Sequence, residues 1–171
     1  MALHERIPAK QRTQVGAGPA PVGRAALLYD RECPFCRWSA GVLIAWDRHA
    51  RLLPVPIQGP DGATLLPELT PDARLESFHL VTPDGARHSG GPAFIPLFEL
   101  LPGGRRLAWL AARFERATNK GYDLVSKYRA QVLKLIPGSV VRWGEDHLES
   151  RLRDEVPEDD LVQPTPVGPG L

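Results

Sequence analysis

One short stretch constrains this chain more than any other. The apolar run Ala25-Ala26-Leu27-Leu28-Tyr29 stops at Asp30-Arg31-Glu32, and the next residues, Cys33-Pro34-Phe35-Cys36, open a new pattern. A five-residue run with no polar alternation reads as a strand buried on both faces. From Pro34 onward, Phe35, Trp38, Val42, Ala45 and Trp46 recur at helical spacing, and proline stands at the first helical position, where a missing N–H costs nothing. A buried strand running straight into an amphipathic helix is half of a β-α-β unit, so the following strand is expected to be parallel to the first. That second strand is Arg51 to Ile57, and its Pro54 and Pro56 confine it to a sheet edge, with both missing donors on the free side.

The rest of the chain fills in an α/β plan. Gly59 to Arg74 offers one or two short helices. Ser77 to Val81, the Pro83-Asp84-Gly85 turn and Ala86 to Ser89 read as a β-hairpin. Gly90-Gly91-Pro92 opens a helix through Phe94, Leu97, Phe98 and Leu101, kinked or shortened by Pro96. Leu107, Leu110 and Phe114 mark another. After Asn119-Lys120-Gly121, Tyr122, Val125, Tyr128, Val132 and Leu135 mark a third, ended by Pro137-Gly138. The expected architecture is thioredoxin-like: a four-stranded mixed sheet with flanking helices and extra C-terminal helices.

At 171 residues, the length suits one such domain. Residues 1–24 hold Pro8, Pro19 and Pro21 without any hydrophobic period and are expected to be a disordered lead-in, with the fold starting at Ala25. The domain is expected over 25–137. The extension 138–171 is expected to hold a short helix through Leu148, Leu152 and Val156, then a Pro-rich acidic tail containing Glu158-Asp159-Asp160.

Charge excludes some partners. With 21 Lys and Arg against 20 Asp and Glu, no whole-chain field draws in nucleic acid or an anionic surface. The longest apolar run, Ala40 to Trp46, is far below the ~18–20 residues a membrane span needs. No secretory signal pattern opens the chain, so the expected setting is cytoplasmic.

Two cysteines three residues apart cannot make a stabilising framework, so their use is chemical. At the junction of strand and helix, Cys33 takes the cap position, faced by unsatisfied backbone donors that favour a thiolate. Cys36, one turn on, is placed to attack a mixed disulfide formed on Cys33. Cys33 is thus the candidate nucleophile and Cys36 the candidate resolving thiol, acting on a protein or small-molecule disulfide with a thiol electron donor and no bound cofactor. Asp30 is the third candidate catalytic residue: it either accepts the Cys36 proton or shapes the loop through an Asx-turn. Arg31 and Arg37 flank the motif and are placed to lower a thiol pKa or to be solvated. Two other readings stand beside this one: a thioredoxin-like adaptor without catalysis, and a zinc or iron–sulfur site built from four thiolates of two chains. His79 reads as a packed strand residue, and Trp38 as core or the wall of a substrate groove.

The stretch Leu27 to Cys36 resembles the DCC family of thiol-disulfide oxidoreductases, named for an Asp-x-x-Cys-x-x-Cys signature that Asp30, Cys33 and Cys36 match one for one. The hairpin with its Asp84-Gly85 turn, the Gly90-Gly91 pair and the Tyr122 to Arg129 helix are similar to that family too, so the likeness spans about Ala25 to Pro137. It implies a thioredoxin-like fold and protein-disulfide reductase activity. Two positions depart: Arg31 replaces the family's usual Gly, and no Pro directly precedes the Ser77 strand, where thioredoxins proper carry a cis-proline.

Overall fold

A computed structural model describes residues 23–155 together with the backbone of Thr13–Gln14. The strands are β1 (Thr13–Gln14), β2 (Ala25–Tyr29), β3 (Leu52–Pro56), β4 (His79–Val81) and β5 (Arg87–Ser89), in the sheet order β1-β5-β4-β2-β3. β2 and β3 are parallel and joined through helix α1 (Pro34–Trp46), while β4 pairs antiparallel with both β2 and β5. This is the thioredoxin-like arrangement, with the expected four strands adjacent in the order β5-β4-β2-β3.

Why β2 must be apolar throughout is visible in the packing. Ala25, Leu27 and Tyr29 face a core shared with Ala40 and Ile44 of α1, Leu97 and Leu101, whereas Ala26 and Leu28 face a second core with Val55, Ile57, Leu65, Leu66 and Val81. Burial of each leucine is worth about 2 kcal/mol in transfer free energy. β3 lies at the edge. The Ile57 N–H donates to the Tyr29 carbonyl at 2.9 Å. Residues 55 and 53 alternate with it toward β2, so Pro54 and Pro56 turn their missing donors outward.

Helices α2 (Pro60–Leu65) and α3 (Pro71–Leu75) fill the stretch after β3. A 3₁₀ turn at Gly91–Ala93 leads into α4 (Phe94–Leu100), where Pro96 falls in the first turn and interrupts no helical hydrogen bond.

Four expectations are corrected. The fold does not start at Ala25, because β1 adds its backbone to β5 antiparallel, pairing Thr13 with His88. Two residues carry no periodic signal; the unpaired backbone of an edge strand recruits them. The remaining lead-in, residues 1–12 and 15–22, and the acidic tail from Val156 lie outside the described residues. Next, α5 (Arg105–Arg113) is followed by α6 (Glu115–Lys127), which runs through Asn119-Lys120-Gly121 without a break. Gly91 packs so closely on Asn119 that a Cβ there would overlap it, and this contact overrides the local preference for a turn. The third helix divides instead at Tyr128, before α7 (Arg129–Leu135). Finally, the short C-terminal helix is α8 (Gly138–Glu155), 18 residues long and packed along α1. Gly144 interrupts its apolar stripe, which hid the helix from periodicity, yet that glycine is what lets the two helices touch.

Polar contacts fasten α8. Arg37 reaches Glu145 at 3.6 Å and Glu149 at 3.1 Å, Arg151 reaches Asp47 at 3.6 Å, and Arg24 pairs with Glu155. Asp47, fully buried at the end of α1, accepts from the Arg51 and Leu52 N–H groups at 3.1 and 2.8 Å, tying that helix end to β3.

Candidate active site

Cys33 is the N-cap of α1, with extended backbone angles of φ −91° and ψ 112°. Its sulfur accepts the Cys36 N–H at 3.3 Å, a donor with no partner inside the helix. The Cys36 thiol also donates to it across 2.7 Å. That thiol donation is the largest influence on Cys33 and, with the backbone N–H and the charge of Arg129, outweighs burial and holds its pKa down to about 6. Cys36 moves the opposite way: giving its proton to Cys33, burial and the neighbouring thiolate all push it up. One sulfur is therefore ionised at neutral pH and the other keeps its proton, with both half-buried.

Asp30 closes the same turn. Its Oδ1 accepts the Glu32 N–H at 2.9 Å, an Asx-turn, and the Gln58 side-chain amide at 2.6 Å. A carboxylate oxygen of Asp30 and the two sulfurs all lie within 4.8 Å of one another. These three donors are one short of the four that a structural zinc site uses. Arg31 takes no left-handed conformation: among the described residues Ala50 alone combines a side chain with positive φ, so this turn does not need the family's usual glycine.

A cavity of about 160 Å³ opens beside Cys36. Leu43, Phe78, Phe94 and Val125 make its wall apolar, and Asp30 and Arg129 are the charged residues that line it. Tyr122 also borders it and fixes its floor, accepting the Phe78 N–H at 3.2 Å and lying 2.9 Å from the Ser77 hydroxyl. Among the described residues no peptide bond is cis.

The structure thus brings Asp30, Cys33 and Cys36 together. Of the flanking arginines, Arg37 is turned to α8 and Arg31 offers its backbone N–H to Gln58 at 3.3 Å. The cation that acts on the thiols is Arg129, almost a hundred residues away in sequence and invisible to a reading of the motif alone. Gln58 was missed for the same reason. Trp38 packs against Gly144 under α8, and His79 is buried, with Nδ1 2.7 Å from the Ser89 hydroxyl and Nε2 2.9 Å from the Arg74 carbonyl.

Beyond this geometry, residues 27–135 match the profile of the DCC1-like thiol-disulfide oxidoreductase family. The chain belongs to that family. The match runs from Leu27 within β2 through Asp30, the dithiol, the hairpin and the helices that carry Arg129, so this DCC1-like protein is an oxidoreductase enzyme by family. No curated protein and no solved structure matches it.

Proposed function

We propose that this DCC1-like protein reduces disulfides, with Cys33 as nucleophile and Cys36 as resolving thiol of its Cys-Pro-Phe-Cys motif. The carrying observation is the 2.7 Å hydrogen bond from the Cys36 thiol to Cys33 at the helix cap. The Cys33 thiolate attacks one sulfur of a substrate disulfide, forming a mixed disulfide as the old S–S bond breaks and its other half leaves as a thiolate that takes a proton. Cys36 then loses its proton to Asp30, directly or through one water, and attacks Cys33. The second substrate thiol departs. Two electrons have passed to the substrate, Cys33 and Cys36 are joined, and a thiol donor restores the dithiol.

A Cys33 pKa of about 6 supports the reductase direction. It sits nearer the ~7 of thioredoxin than the ~3.5 of a strong oxidant whose reduced form is heavily stabilised. A cytoplasmic setting, where thiol pools keep such pairs reduced, suits this direction. Substrates are protein or small-molecule disulfides, and the apolar cavity beside Cys36 would receive the group flanking the disulfide.

The test is trapping. Cys36→Ser should accumulate a mixed disulfide with a model substrate, whereas Cys33→Ser should accumulate none. Equal trapping by both variants would overturn the division of roles.

A further inference from the structure

The chain's near-neutral total conceals a segregated charge. Between Arg105 and Leu135 stand eight lysines and arginines against two acids, while the remaining residues carry 13 against 18. Within this basic stretch, α5 is sharply two-sided. Ala108 and Ala111 are buried where α5 packs on α4, and no acid occurs from Leu100 to Phe114. Away from that contact, large apolar side chains meet solvent: Leu107 is 40% exposed, Trp109 64%, Leu110 43% and Phe114 55%. Leu107, Leu110 and Phe114 fall at i, i+3 and i+7, one continuous stripe. Arg105, Arg106 and Arg113 are exposed on the same short helix, and the Arg113 guanidinium lies 5.4 Å from the Phe114 ring centroid.

Exposed Leu and Phe at helical spacing, with an exposed Trp109 standing among the arginines and no acid on the helix, are what an interfacial helix presents to a bilayer: apolar groups for the acyl boundary, an aromatic and cations for anionic headgroups. We propose that α5 docks this protein on an anionic lipid surface. No helix among the described residues is long and apolar enough to cross a membrane, and the attachment proposed is through this face of α5. The charge argues for this occupant over a second copy of the chain, because a two-fold contact through α5 would set the same three arginines against one another. It also argues against nucleic acid, which would satisfy the arginines but leave the leucine stripe without an apolar partner. The proposal is independent of the dithiol.

The test uses the full chain with vesicles of phosphatidylcholine alone and with about 30% phosphatidylserine added, read by co-sedimentation. The expected result is binding at least about tenfold tighter to the anionic vesicles, weakening as salt rises from about 0.05 to 0.5 M. Arg106→Gln with Arg113→Gln should weaken anionic binding about tenfold or more, and Trp109→Ser with Phe114→Ser should do the same. Both double variants should keep the parent's disulfide reduction and unfolding midpoint, since none of these residues is buried. Absence of binding, equal binding to both vesicle types, or unchanged binding by both variants would overturn the proposal. So would a concentration-dependent dimer dispersed by the same substitutions, or capture of an acidic protein without any lipid binding.

Discussion

Gly41 of α1 and Gly144 of α8 meet backbone to backbone: a Cβ on Gly41 would overlap the Gly144 carbonyl, and one on Gly144 would lie 2.8 Å from the Trp38 ring. The helix that carries the dithiol is therefore held by the C-terminal helix at a distance only glycine allows. Gly41→Ala should gain helix propensity worth ~1 kcal/mol but lose more to overpacking, a net destabilisation of about 2 kcal/mol. Gly121, on α6 with open space around it, is the control. Gly121→Ala should stabilise by about 0.5–1 kcal/mol. Denaturant unfolding of both variants measures the contrast.

His79 predicts a pH dependence of stability. Burial, the largest influence, holds its pKa down to about 4, so the folded protein resists protonating it. Unfolded histidine titrates near ~6.5, so between these values the unfolded state binds more protons and is favoured. The contribution is full above about pH 6.5 and is lost as pH falls toward about 4. Between pH 7.5 and 4.5 it amounts to about 2–3 kcal/mol. His79→Asn should flatten this part of the unfolding free-energy profile, even though removing the bonds to Ser89 and Arg74 lowers stability throughout.

Under the proposed mechanism, Asp30→Asn separates the carboxylate's two roles. Asn retains an oxygen that can accept from Glu32 and Gln58, so the turn survives, but it cannot take a proton. Stopped-flow kinetics should show attack by Cys33 within about twofold of the parent and resolution by Cys36 slower by roughly a hundredfold at neutral pH. Unaltered resolution across the pH range would leave Asp30 as a turn-former alone.

Much of this was legible in the chain because the informative residues are close in sequence. The run from Ala25 to Cys36 carries a buried strand, a cap and two thiols within 12 positions, and each piece constrains the next. Pro54 and Pro56 placed β3 at an edge through a chemical absence that no context can supply. What stayed hidden depends on distant partners. Arg129 acts on the thiols only because α7 folds back beside α1, and Gln58 holds Asp30 only because β3 ends next to β2. The length of α8 was obscured by Gly144, which reads locally as a helix weakness and becomes a contact once α1 is present. β1 has no side-chain signature at all, since pairing with β5 needs only its backbone.

The account rests on two neighbouring sulfurs having opposite protonation at neutral pH. Iodoacetamide alkylation of the reduced protein, followed against pH with the modified residue located by mass spectrometry, tests this most directly. Cys33 should be alkylated first, with a rate profile whose midpoint lies at about 6, while Cys36 remains unmodified across the same range. A midpoint near the ordinary ~8.5 of a free thiol, or Cys36 reacting ahead of Cys33, would contradict it.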